Sequence, residues 1–245
     1  MKRISCAGRA AAAAALVFAA WDAHAQGAPW YGYAYVRPQF YLGGSIGASV
    51  FADSSGTTAA WLNSAYTSST TLAPGDFIAS AGSQDSTAFG AKIYGGAWIT
   101  PNVGLELGYT YLGSINWTVN SMNTTGSFNV TDTGTVEPWA LYEALMLGGN
   151  SGGMRIYGKL GAYQAFSDFE ATSFDNNTGG SFGASQTVHN SGAVLGLGVT
   201  APFGYRGAWR LEAEDYLNVG ETSSNQIPPW RGNVFLLSAG YTFLF

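Results

Sequence analysis

The chain has 245 residues, 47% of them hydrophobic and only 10% charged, with 34 Gly, 8 Trp, 14 Tyr and 14 Phe. An ordinary soluble domain carries roughly a quarter charged residues, and Gly with aromatics in these numbers disfavours helices and suits strands, which excludes a typical cytoplasmic enzyme. Ten Lys and Arg against 15 Asp and Glu give a net charge of −5, so no basic surface is available for a phosphate backbone and nucleic acid is not an expected partner.

Residues 1–25 read as a secretory signal peptide: Lys2 and Arg3 form the positive start, Ala10 to Ala20 the apolar run, and Ala23-His24-Ala25 the cleavage site. The run is too short to span a bilayer as a helix. Cleavage would remove Lys2, Arg3, Arg9 and Asp22, leaving 7 basic and 14 acidic residues, and would take away Cys6, the one cysteine. The mature chain then has no disulfide and no thiolate metal site. Residues 26–38, aromatic and Gly-rich without alternation, are expected to form an N-terminal segment at the periplasmic rim, and residues 39–245 a single β domain.

Eight segments alternate apolar with small or polar residues over the length that a tilted strand needs to cross lipid. They are 40–50, 89–99, 103–112, 139–148, 154–166, 192–201, 208–217 and 234–245. In the first, Phe40, Leu42, Ile46, Ala48 and Val50 share one face and Tyr41, Gly43, Ser45, Gly47 and Ser49 the other. Lys92, Glu106, Arg155, Lys159, Arg210, Glu212 and Glu214 all fall on the small or polar faces, which marks those faces as lumen-directed. Segment 139–148 is read the same way by its single charge, Glu143, which sends Trp139, Leu141, Leu145 and Leu147 inward with it. The last segment puts Phe235, Leu237, Ala239, Tyr241, Phe243 and Phe245 on one face.

Connections alternate in length: short at 100–102, 149–153 and 202–207, long at 51–88, 113–138, 167–191 and 218–233. That is the pattern of an antiparallel barrel with short periplasmic turns and four long extracellular loops. Lipid offers no partner for backbone N–H and C=O groups, so the sheet must close on itself. The fold class is therefore all-β, an eight-stranded antiparallel transmembrane barrel. The Ser/Thr/Asn-rich loops, such as 54–71 and 174–186, are expected to be solvated, with Trp61, Tyr66, Trp117, Phe174 and Trp230 as contact aromatics for a surface or host ligand.

Four stretches, FGAKIYGGAWITPNVGLELGYTYLGS (89–114), IYGKLGAYQAF (156–166), WRLEAEDYLNVG (209–220) and SAGYTFLF (238–245), resemble the outer-membrane barrel family of outer membrane protein A. The resemblance covers most of 39–245. It implies an outer-membrane barrel surrounded by lipid and lipopolysaccharide and inserted by the assembly machinery that reads the C-terminal strand, here Tyr241, Phe243 and Phe245. It also implies a charged lumen network acting as a gate, to which Glu106, Lys159 and Arg210 correspond. The family's acidic residue on the sixth strand has no counterpart, because Gly198 or a neighbour occupies its place. No peptidoglycan-binding domain follows residue 245, so the wall-anchoring role of two-domain members is not expected.

Counted from the pattern alone, the inward charges are Lys92, Arg155, Lys159 and Arg210 against Glu106, Glu143, Glu212 and Glu214. A turn symmetric about Ser151 would set Glu143 beside Lys159, letting Glu143 replace the missing acid. The main expectation is a monomeric, non-enzymatic surface protein that contributes to envelope integrity and contact through its loops. A narrow gated pore is the rival. A third reading comes from His189-Asn190-Ser191 near the external rim, an element that resembles the barrel lipases acting on lipid A. There Ser191 would be the nucleophile, His189 the base and Glu212 the orienting acid. No cofactor, nucleotide loop or metal cluster is expected, since the Gly-rich GGNSGG (148–153) is a turn.

Overall fold

The structure, a computed structural model, describes residues 38–52, 55–69, 76–151, 153–204, 206–221 and 230–245. They belong to one compact unit, Val36–Phe245. The expected signal peptide (1–25) and residues 26–37 of the expected rim segment lie outside the described residues.

Among the described residues the elements are β1 (Gln39–Phe51), α1 (Ser55–Ser69), β2 (Ile78–Gln84), β3 (Thr87–Trp98), β4 (Val103–Tyr111), β5 (Ile115–Asn123), β6 (Asn129–Ser151), β7 (Met154–Asp175), β8 (Ser181–Phe203), β9 (Gly207–Glu221) and β10 (Trp230–Leu244). Every strand pairing is antiparallel, and β1, β3, β4, β6, β7, β8, β9 and β10 close into a ring. The seam joins β1 to β10, with Tyr41 opposite Leu244, and the Phe245 N–H donates to the Phe40 carbonyl at 3.0 Å. No sheet edge is left inside the ring, as a lipid environment requires.

Lipid-facing side chains stand out on the exterior: Leu197 is 70% exposed, Ile93 65% and Ile46 62%. The expected phase holds for seven strands and fails for β6. There Ala140, Tyr142, Ala144 and Met146 are buried in the lumen, while Glu143, Leu145 and Leu147 are exposed outside. The β6–β7 turn centres between Ser151 and Met154, so Glu143 sits opposite Ala162, and Lys159 opposite Met146. Glu143 is an exposed carboxylate on the outer wall, an exception to the apolar-out rule by which its single charge points to the lumen.

Among the described residues, the stretches expected as loops hold helix and strand. At the extracellular end β6, β7 and β8 run 22 or 23 residues, against 13 for β1 and 15 for β9 and β10. About 9 to 11 residues suffice to cross lipid, so roughly half of each long strand stands above it. β5 continues β4 along β6, and β2 pairs with β5, so the wall is tall on one side and low on the other. Between Tyr111↔Trp139 and Ile115↔Val136 the β4–β5 side gains one residue, a β-bulge at Gly113 with φ +98°. A Cβ there would sit 2.6 Å from both the Ala88 Cβ and the Phe89 carbonyl oxygen.

The bulge inverts which parity faces inward, and Ile115, Trp117 and Val119 are buried inside the tall wall. Val136, Phe169 and Val188 join them from β6, β7 and β8. The outer face there is polar, with Thr118, Thr133 and Thr172 in register across three strands. Helix α1 packs on β2 and β5 and adds Ala59 and Leu62 to this apolar interior. Residues three apart fall on one helix face, and a 15-residue helix with no acidic first turn or basic last turn depends on that packing.

Candidate functional site: the charged lumen

The lumen is narrowed first by tyrosines. Tyr41 lies opposite Gly96, Tyr94 opposite Gly43, Tyr142 opposite Gly108, Tyr157 opposite Gly198 and Tyr163 opposite Gly192. In each pair a Cβ on the glycine would fall within 2.7 Å of the facing ring, so each ring lies across the space a side chain would take. This explains the missing sixth-strand acid, because Gly198 makes room for Tyr157.

The rings orient a cluster of three acids and three bases. Glu106 accepts hydrogen bonds from the Tyr41 hydroxyl (2.8 Å), the Tyr142 hydroxyl (2.7 Å) and Lys159 Nζ (2.7 Å), and pairs with the Arg210 guanidinium at 2.6 Å. Glu212 pairs with Lys92, with Lys159 at 2.8 Å and with Arg210 at 2.5 Å, and accepts from the Tyr157 hydroxyl at 3.0 Å. Glu214 takes Lys92 and Lys159, both at 2.6 Å. Arg210 also lies 4.1 Å from the Tyr94 ring centroid. None of the six residues is more than 4% exposed. Burying ions costs several kcal/mol each unless every one is paired, and here charge is balanced and each carboxylate has at least two cationic partners.

Six expected lumen residues therefore meet: Lys92, Glu106, Lys159, Arg210, Glu212 and Glu214. Glu143 does not, for the reason of phase given above. Arg155 points inward but lies at the periplasmic mouth, where its Nε donates to Asn150 Oδ1 (3.2 Å) and its guanidinium stacks 4.2 Å from the Trp98 ring centroid. The network is thus three against three, and the acid that completes it is Glu212 on β9. The phenols of Tyr41, Tyr142 and Tyr157 were missed as members. The signal was available, since inward Tyr and inward Gly alternate along the same strands.

The hydrolase arrangement does not assemble. The His189 ring packs against Phe166 (4.7 Å) on the outer surface, Ser191 is exposed opposite Gln164, and Glu212 is buried in the lumen. Among the described residues no group of His, Cys, Asp and Glu is placed to hold a metal ion. Tyr241, Phe243 and Phe245 form an outer-face row, with ring centroids 6.1 and 6.2 Å apart, joined by Trp209 and Phe203.

Above the charges a second layer fills the barrel. Tyr216 shares a 2.8 Å hydrogen bond with Thr110, and Leu112, Val194, Val234 and Leu236 are fully buried. Of the five expected contact aromatics, Trp117 and Trp230 are buried and Trp61 and Tyr66 pack against the interior. Phe174 alone of the five is exposed. The Tyr66 hydroxyl donates to both oxygens of Asp132 (2.8 and 2.9 Å), and Ser173 donates to the same carboxylate, tying α1 to the wall. Burial raises the Asp132 carboxyl above its ordinary range despite those donors, and burial likewise raises the Tyr66 phenol.

A closed ring of eight strands, apolar outside and ionic within, defines a transmembrane β-barrel of the outer-membrane kind. The chain matches the OmpA-like transmembrane domain over residues 37–245 and belongs to that family. No curated protein matches it. Among solved structures it is similar to Neisserial surface protein A (15% identity, 84% of this chain and 97% of that one, TM-score 0.42). It is also similar to the N-terminal barrel domain of Pseudomonas aeruginosa OprF (12%, 84% and 97%, 0.39). The attachment invasion locus protein Ail of Yersinia pestis is a third (12%, 84% and 98%, 0.39).

Proposed function

We propose that this outer-membrane barrel is a plugged, monomeric anchor that contributes to envelope integrity and presents a rigid extracellular platform for surface contact. One observation carries the reading: the lumen is filled twice over, by six mutually paired charges and then by an apolar layer under α1. Passage of a solute would have to break both. The work therefore falls to the exterior, where an apolar belt holds the protein in lipid and the tall wall lifts exposed Phe174 and Phe182 away from it. Lipopolysaccharide is the immediate neighbour of that wall.

The test is single-channel recording of the refolded mature chain in a planar bilayer, with heat-modifiable gel migration as proof of folding. Folded protein that stays silent supports the anchor. Discrete openings altered by Arg210→Ala would replace it with a gated pore.

A further inference from the structure

The periplasmic end of the lumen, below the ion network, holds a cavity of about 150 Å³. A single water needs on the order of 10–15 Å³ of such space, so the cavity has room for a small organic molecule. Its polar lining includes Gln39, Asn150, Arg155, Thr200 and Arg210. None of the described residues lining it is acidic. Arg155, Thr200 and Arg210 are successive partners across β7, β8 and β9, so two guanidinium groups flank one threonine in a single row.

The two arginines differ in what satisfies them. Arg210 spends its two terminal nitrogens on Glu106 and Glu212, but its Nε is buried without a hydrogen-bond partner, and the residue is only 4% exposed. A buried donor left unpaired is costly, and native proteins seldom tolerate it. Arg155 has a neutral amide and an aromatic face for partners and, among the described residues, no carboxylate. Planar guanidinium groups match the two oxygens of a carboxylate. Around them the walls are aromatic or apolar: Trp98, Tyr157, Pro202 and Leu244.

We infer that the periplasmic mouth of this barrel binds a small organic carboxylate, its oxygens held by Arg155 beside Thr200 and in the field of the Arg210 guanidinium, and its apolar body against Trp98 and Leu244. The site opens to the periplasm and works with the lumen closed. It is independent of the extracellular platform.

The test is titration of the refolded mature chain in detergent micelles with benzoate, followed by calorimetry and by tryptophan fluorescence, with inorganic phosphate as competitor. Saturable binding is expected, weakened about tenfold or more in Arg155→Ala and less in Arg155→Lys. Glu143→Gln, on the opposite face of the wall, should bind as the unaltered chain does. Heat-modifiable migration checks that each variant is folded. No saturable binding by the unaltered chain, or equal affinity in folded Arg155→Ala, would overturn the site. Displacement of benzoate by phosphate at equal or lower concentration would overturn the carboxylate assignment.

Discussion

Within the membrane, β6 turns Leu145 outward and Tyr142 inward toward Glu106; a few residues higher, the same strand turns Thr131 and Thr133 outward and Val130 and Val136 inward. One strand thus carries two opposite polarities without changing which parity faces the lumen. The cause is the solvent on the outside. Lipid accepts leucine and leaves the polar work to the interior, whereas water above the membrane restores the ordinary rule of apolar inside. The lower half is held by ion pairs that have no other place to go, and the upper half by a hydrophobic core that α1 completes. Each half should therefore fail to a different insult.

The largest effect is expected at Glu106. Glu106→Ala strands Lys159 and Arg210 with fewer anions and takes the carboxylate acceptor from the Tyr41 and Tyr142 phenols, and should cost about 3–5 kcal/mol in urea unfolding of the refolded barrel. Leu62→Ala should cost about 2–5 kcal/mol, but only in the upper half. Hydrogen exchange would show it as lost protection over α1 and β5 with the membrane strands unchanged. Equal loss in both halves would remove the distinction between them.

Glu143→Leu removes a charge from the lipid face and should stabilise the barrel by roughly 1 kcal/mol. A loss of stability would return Glu143 to the lumen. The smallest effect concerns pH. Because burial raises the folded-state value of Asp132, its contribution to docking α1 is full below the ordinary carboxylate range and falls as pH rises through the raised value. Protection of α1 amides, corrected for intrinsic exchange, should decline over that interval, and Asp132→Asn should flatten the decline.

The ring of eight strands and seven of their phases were legible because charges or glycines mark one face of each. In segment 139–148 the only charge, Glu143, lies on the outer face, while the informative residue is Tyr142, which needs Gly108 across the strand pair. The six network residues could be named from parity. Their partition could not, because whether Arg155 reaches the network depends on its height in the barrel. The upper half was read as loop because Ser and Thr dominate 54–71, although Ala59 and Leu62 share one helix face and Ile115, Trp117 and Val119 alternate in a strand of their own. A strand in lipid carries its apolar residues outside, and above the membrane that order is reversed.

Cysteine scanning tests the reversal of polarity along β6 directly. Cys6 is the chain's one cysteine, so a chain beginning at Gln26 has none. Single cysteines placed from 130 to 147 should label in two zones. Positions 143, 145 and 147 should react with a membrane-dissolved maleimide, positions 131, 133 and 135 with a water-soluble one, and the buried even positions with neither. Labelling of position 142 together with protection of 143, or aqueous labelling of 130 and 136, would contradict it.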